Sequence, residues 1–184
     1  MRVISGKYKG KNLIGFDIDG TRPTMDRVKE SLFAMINSHL KESIILDLFA
    51  GTGSLGIECL SRGASSAIFV DVSKESINIV KSNIKKARVE NESTILNLDF
   101  KNAIERLKVQ NKKFDIIFMD PPYYKNMFID ALSSIDDANL LDDDGIIVVE
   151  HDTKDKFEDK IGRLEKHKEK KYGNTTLTFY KLEE

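Results

Sequence analysis

From Ser43 onward, short apolar runs alternate with longer stretches whose apolar residues recur every three or four positions. The first pattern predicts strands buried on both faces, and the second predicts amphipathic helices. The expected strands are Ile44-Ile45-Leu46-Asp47-Leu48, Ala67-Ile68-Phe69-Val70, Thr94-Ile95-Leu96-Asn97-Leu98, Phe114 to Met119, and Ile146-Ile147-Val148-Val149 entered through Gly145. Helices are expected over Ser54 to Arg62, stopped by Gly63, and from a Ser73 cap to about Arg88, with Ile77, Val80, Ile84 and Ala87 on one face. Two more are expected over Lys101 to Val109 and Phe128 to Ile135. This alternation predicts a doubly wound, mostly parallel α/β sheet. Asp26 to about Leu40 reads as a helix preceding the sheet. Residues 1–20, with glycines at 6, 10, 15 and 20, read as a hairpin-like extension. After His151 a charged helix or loop leads to Thr175-Thr176-Leu177-Thr178-Phe179-Tyr180, where two antiparallel strands are expected to finish the sheet.

Composition adds bounds. A chain of 184 residues with 40% hydrophobic content fits one domain with a small appendage, divided here as an extension over 1–40 and a main domain over 41–184. No apolar run approaches a membrane span, and the N-terminus has no secretory pattern. The single cysteine, Cys59, cannot form an internal disulfide and reads as a small buried residue, so the cytoplasm is the expected compartment. His39, His151 and His167 lack metal-ligand spacing, and no metal is expected. The net charge is −1, so the chain as a whole does not announce a polyanionic partner. Its distribution is uneven: Arg2, Lys7, Lys9 and Lys11 form a basic arm without acids, and Lys166, Lys168, Lys170 and Lys171 form a second cluster. Such an arm suits phosphate contacts, although a charge run also reads as ordinary solvated surface.

Ligands of doubly wound sheets bind beyond the carboxyl ends of the strands. Asp47, Asp71, Asp99 and Asp120 each fall at or just after such an end. Gly51-Thr52-Gly53-Ser54-Leu55-Gly56 fits G-x-G-x-x-G, a turn that brings backbone N–H groups to a ligand at a helix N-terminus. Asp71, with Val72 beside it, stands where a carboxylate accepts from two ribose hydroxyls. Both nicotinamide and S-adenosylmethionine enzymes use that pair of features. Asp47, in Asp47-Leu48-Phe49-Ala50-Gly51, separates them: a pyrophosphate would be repelled by it, whereas an ammonium or sulfonium would be favoured. Its alternative reading is a cap on the loop's own N–H groups. Asp99-Phe100 offers an acceptor for the adenine amino group and a ring to pack on adenine.

Asp120-Pro121-Pro122-Tyr123 follows the fourth strand. Two prolines fix the backbone and leave carbonyls as acceptors, Asp120 adds a carboxylate, and Tyr123 adds a face on which a base can stack. An amino group conjugated with a base ring is a poor nucleophile. A carboxylate and a carbonyl that accept its two N–H bonds favour the nitrogen that pyramidalises as it attacks. Together with the upstream loop, these residues predict methyl transfer from S-adenosylmethionine to an amino nitrogen of a base, with Asp120, Pro121, Pro122 and Tyr123 at the reacting centre. The plain alternative is a proline-rich loop that ends a strand.

The combination resembles the Rossmann-like amino methyltransferases with an [N/D/S]-P-P-[Y/F] motif. More closely, it resembles the bacterial 16S ribosomal RNA guanine-N2 methyltransferase (RsmD) family. The residues carrying that match are Arg2 to Gly10, Arg22-Pro23-Thr24-Met25-Asp26-Arg27-Val28-Lys29-Glu30-Ser31-Leu32-Phe33, Asp47 to Glu58, Asp120 to Tyr123, and Tyr172-Gly173-Asn174-Thr175. The resemblance implies a seven-stranded sheet with a small N-terminal extension that grips RNA, S-adenosylmethionine as cofactor, and a guanine 2-amino group of small-subunit RNA as acceptor. It implies cofactor contacts at Arg22, Thr24, Asp47, Phe49, Gly51, Gly53, Asp71, Val72, Asp99 and Phe100. RNA contacts are expected at Arg2, Lys7, Lys9, Lys11 and Arg27. Read from residues alone, Arg22-Pro23-Thr24 is a helix start with Thr24 as cap. Lys29 departs from the pattern, standing where arginine is expected, which weakens a bidentate phosphate contact there. The alternatives are an adenine-N6 methyltransferase, a nicotinamide oxidoreductase, and a catalytically silent RNA-binding module. A monomer acting on RNA or an assembling small subunit is the expected working form.

Overall fold

The structure, a computed structural model, describes residues 1–16, 22–121 and 125–183, with the backbone alone described at 22–25 and 125–126. Five strands alternate with helices as the sequence pattern requires: β1 (Ile44–Asp47), α2 (Ser54–Ser61), β2 (Ser66–Val70), α3 (Lys74–Ala87), β3 (Ser93–Leu96), α4 (Phe100–Val109), β4 (Phe114–Met119), α5 (Lys125–Asp137) and β5 (Leu141–Asp152). They are preceded by α1 (Arg22–Met35) and followed by β6 (Lys160–Ile161), β7 (Leu164–Tyr172) and β8 (Thr175–Leu182). The sheet order is β3-β2-β1-β4-β5-β8-β7-β6, parallel through β5 and antiparallel beyond it. This is the expected mostly parallel α/β architecture. Among the described residues, the two-residue β6 brings the strand count to eight rather than seven.

The order in which strands are added to the sheet reverses at β1. The chain first steps outward to β2 and β3 and then returns to β4 on β1's other side, which makes the β1–β4 boundary the switch point where a crevice opens. Alternate strand residues face opposite ways. Ile45, Phe69, Ile116, Phe118 and Val148 pack with α1, α2, α3 and the N-terminal Val3 and Leu13. Leu46, Ile68, Val70, Ile117, Met119, Ile147 and Val149 pack with α4 and α5. The N-terminal segment is a hairpin-like loop with one antiparallel bridge, Arg2 to Asn12. Its Val3 and Leu13 are buried in the main core.

Several boundaries differ from expectation. α1 begins at Arg22, so Thr24 lies inside the first turn rather than capping it. Proline is compatible with a first turn because its missing N–H is not needed there. The expected end near Leu40 is instead a 3₁₀ turn at Asn37–His39. β5 starts at Leu141 rather than Gly145, because Leu141 pairs with Phe114 before the ladder shifts register and resumes at Ile116 and Ile146. The largest correction is the lysine-rich segment, which is a strand and not a charged helix or loop. The loop at Gly173, with φ +59°, turns β7 back along β8, whose Leu177, Phe179 and Tyr180 are buried. β6 covers only Leu164 and Glu165 of β7, and the remainder is an open edge on which Lys168, Lys170 and Lys171 are exposed. Charge on such an edge discourages pairing with another chain.

Candidate active site

The glycine loop leaves β1 at the switch point. Gly51 and Gly53 have φ of +56° and +75°, which only glycine adopts without strain in so tight a turn. Gly53 sits at the N-cap of α2 and provides no side-chain cap. Asp47 supplies an acceptor instead, taking the Gly56 N–H on Oδ2 at 3.3 Å. The loop-capping contact considered from sequence is therefore present. Burial pushes the Asp47 carboxyl up to about 7, against the Gly56 hydrogen bond and Lys29, and with the charges of Asp120 and Asp71 adding to the rise. A carboxyl whose folded pKa exceeds its unfolded value is held more cheaply when protonated, so stability falls as pH rises from about 4 to 7. Asp47→Asn removes that cost. It is expected to stabilise the ligand-free protein by about 1–3 kcal/mol at pH 8 and by little at pH 4. Denaturant unfolding at both pH values checks this, and a less stable variant at pH 8 would contradict it.

A cleft of about 730 Å³ opens beside the loop, at the carboxyl ends of the parallel strands. Gly51, Phe49, Asp71, Val72, Asp99, Phe100, Asp120 and Pro121 border it. Asp47 and Gly53 lie behind this wall. Asp71 is held by two backbone donors, Gly51 N–H to Oδ2 at 2.9 Å and Ser73 N–H to Oδ1 at 2.8 Å, and each oxygen keeps a further lone pair for a ligand hydroxyl. Asp99 caps α4, accepting from the Asn102 N–H at 3.0 Å, and these hydrogen bonds lower its pKa. Phe49 and Phe100 meet with ring centroids 5.7 Å apart and form an apolar wall. Val72 is exposed at the rim.

The N-terminal arm reaches this cleft through Phe16, a lining residue that sequence reasoning did not single out. Buried Asn83 on α3 fixes the arm to the loop. Its Oδ1 accepts from Ile14 N–H at 2.7 Å, and its Nδ2 donates to the carbonyls of Ile14 and Thr52, both at 2.9 Å.

Asp120 follows β4 and Glu150 stands beside it within β5, one step beyond the register pair Met119–Val149 where the β4–β5 ladder ends. Glu150 was also missed, although it follows the same strand-end rule. Solvent reaches Asp120 through the cleft mouth, yet the surrounding walls displace enough water to raise its pKa. Partial burial and then the Asp120 charge raise that of Glu150. His151 lines the cleft but is engaged internally, Nδ1 with the Asp152 carbonyl and Nε2 with Thr178 Oγ1, both at 2.8 Å. Pro122 and Tyr123, and the side chains of Arg22 and Thr24, lie outside the described residues. The described cleft wall carries six carboxylates, Asp71, Asp99, Asp120, Glu150, Asp152 and Asp155, and neither lysine nor arginine.

The basic residues divide by environment. Arg2, Lys7, Lys9 and Arg27 are exposed. Lys7 lies over the Tyr8 ring at 5.2 Å. The Lys11 ammonium instead donates to the carbonyls of Lys86 and Ala87, at 3.2 and 3.3 Å, at the C-terminal end of α3. Lys29 is buried against Glu58 at 3.2 Å, so it makes no phosphate contact. Cys59 is fully buried, and burial pushes its thiol up.

A profile of the family described as Conserved hypothetical protein 95 matches residues 1–181. YlbH of Bacillus subtilis, provisionally named an rRNA methyltransferase, is 40% identical over 181 residues, with 98% of each chain covered. Ribosomal RNA small subunit methyltransferase D of Haemophilus influenzae is 37% identical, covering 82% of this chain and 78% of its own. Among solved structures, yhhF of Escherichia coli, provisionally named a methyltransferase, superposes with a TM-score of 0.86 at 27% identity, covering 100% of this chain and 98% of its own.

Proposed function

Because this chain belongs to the RsmD-like rRNA methyltransferases, the family described as Conserved hypothetical protein 95, we propose that it methylates the exocyclic 2-amino group of a guanine in 16S rRNA, using S-adenosylmethionine. The observation that carries the cofactor assignment is the acidic cleft. Six carboxylates without a facing lysine or arginine among the described residues suit an ammonium and a sulfonium, and they oppose the pyrophosphate of a nicotinamide dinucleotide. S-adenosylmethionine supplies a methyl group made electrophilic by the sulfonium. Asp71 would hold the ribose, Phe100 and Val72 the adenine, with Asp99 near its amino group. Gly51, Gly53 and Asp47 would shape the methionine end, together with Arg22 and Thr24.

Asp120 is the catalytic residue in this reading. Its carboxylate accepts one amino N–H while a turn carbonyl accepts the other, and the base stacks on Tyr123. The proton lost from nitrogen needs no strong base, because it becomes acidic once the N–C bond forms. The repulsive cleft keeps phosphates outside and admits a base that has left its stack, which fits an extruded nucleotide. Arg2, Lys7, Lys9 and Arg27 would hold the RNA backbone, and a monomer working on assembling small subunits in the cytoplasm is the form we propose.

Mass spectrometry of digested small-subunit RNA from a deletion strain tests the assignment. One 2-methylguanosine should disappear and return on complementation. Undiminished 2-methylguanosine with loss of N6-methyladenosine would establish the adenine alternative instead. With the isolated protein and the deletion-strain particles, Lys7→Glu/Lys9→Glu should raise KM by about tenfold at low salt with kcat kept, and the effect should shrink as salt rises.

A further inference from the structure

Asp120 and Glu150 differ in how much of the proposed chemistry they explain. Asp120 has a role at the amino nitrogen, whereas Glu150 has none, although it lines the same cleft. Met119 and Val149 are register partners on parallel neighbours, so the next residues on the two strands face the same side, roughly one strand spacing of about 4.8 Å apart. The Glu150 side chain makes no hydrogen bond or ion pair with any described residue, and the residue lines the cleft. A half-buried carboxylate left without donors costs stability unless a ligand supplies them.

We propose that Glu150 is the specificity residue that reads the N1–H of guanine beside the 2-amino group held by Asp120. This rests on the guanine-N2 reading above. The Watson–Crick edge of guanine presents two adjacent donors, N1–H and N2–H, and two adjacent carboxylates match them. Adenine presents its amino donor beside N1, which is a lone-pair acceptor. Glu150 would face that lone pair with its own, leaving both unpaired in a partly desolvated site. The pair therefore discriminates between the two bases that the Asp120 tetrapeptide treats alike. Discrimination of this kind is strong, because a site built for a donor rejects an analogue lacking it.

The test uses 2-aminopurine, which keeps the 2-amino group but has an acceptor at N1. Tritium transfer to deletion-strain particles first maps the methylated position. Small subunits are then reconstituted with guanine or 2-aminopurine there, and kcat/KM is measured for wild type, Glu150→Gln and Glu150→Ala. Wild type is expected to prefer guanine by at least about 10²-fold. Glu150→Gln keeps an acceptor oxygen for guanine N1–H and should lose less on guanine than Glu150→Ala, while gaining on 2-aminopurine because its carboxamide N–H can donate to N1, so that the preference shrinks to below about tenfold. Glu150→Ala should lose activity on guanine without gaining on 2-aminopurine. S-adenosylhomocysteine affinity should stay at the wild-type value in both variants, which separates base reading from collapse of the cleft. A wild-type preference retained in Glu150→Gln overturns the proposal while leaving the guanine-N2 assignment intact. Absence of 2-methylguanosine from the wild-type guanine particles removes both together.

Discussion

Asp120→Ala is expected to lower kcat for methyl transfer by about 10²–10³-fold while S-adenosylhomocysteine affinity changes by less than about threefold. The asymmetry follows from position. Asp120 faces the cleft beyond β4, whereas Asp71, Asp99 and the Gly51 loop hang on β1, β2 and β3. Its carboxylate matters most when the amino nitrogen pyramidalises, so its loss falls on kcat more than on binding. Asp120→Asn keeps one acceptor oxygen in the same place and should retain more activity than alanine. pH gives a second signature. The ionised form is the one that accepts, and partial burial raises the Asp120 pKa, so kcat/KM should fall with acid at a pH above the ordinary carboxylate range near 4. In Asp120→Asn that fall should be shallower, with Glu150 and Asp47 left to titrate. Single-turnover rates across pH, with isothermal titration of S-adenosylhomocysteine, check both statements. A variant with wild-type turnover would remove Asp120 from the chemistry.

What could be read from sequence was periodic or local. The five parallel strands announce themselves because both their faces are buried, giving unbroken runs such as Ile146 to Val149. Strand ends then located Asp71, Asp99 and Asp120 at the cleft without any contact being known. Glu150 obeyed the same rule but was passed over, because no motif surrounds it. β7 escaped for the opposite reason: an edge strand wants charge, and Leu164 to Tyr172 has lysines where a central strand would have valines. Its strand character comes from pairing with β8, a tertiary fact. Contacts between distant segments had no local signal at all. Asn83 reads as an ordinary polar position in α3, yet it joins the arm at Ile14 to the loop at Thr52. Lys29 read as a weakened phosphate contact because it stands where the family pattern has arginine, and its partner lies 29 positions further along the chain.

That partner carries the second large effect. Glu58→Ala is expected to destabilise the protein by about 3–5 kcal/mol. Glu58 is fully buried on α2, and its two oxygens are each engaged twice. Oε2 accepts from Ile4 N–H at 2.9 Å and faces Lys29 Nζ at 3.2 Å, while Oε1 accepts from Ser5 N–H at 3.0 Å and Arg62 Nε at 2.8 Å. Truncation leaves a buried ammonium and two backbone donors without an acceptor, and the orphaned ammonium is the dominant loss. The same residue docks the N-terminal loop on α2. There Gly6 approaches so closely that a Cβ would lie 1.9 Å from the Ser61 carbonyl oxygen, and the Lys7 N–H donates to that oxygen at 2.7 Å. Losing Glu58 should therefore free the loop before the sheet, and with it the arm that carries Phe16 to the cleft. At about 2–4 °C per kcal/mol for a chain of this size, the melting temperature should fall by roughly 6–20 °C. Hydrogen exchange should show the Ile4 and Ser5 amides losing protection first. Because the pair is buried, added salt should change the difference little, whereas the exposed Lys160–Glu183 pair would respond to it. Replacing Lys29 and Glu58 together by methionine should recover part of the loss, since no buried charge then stands alone. A fall below about 1 kcal/mol for Glu58→Ala would mean that water reaches Lys29 and that the hub does not hold the loop.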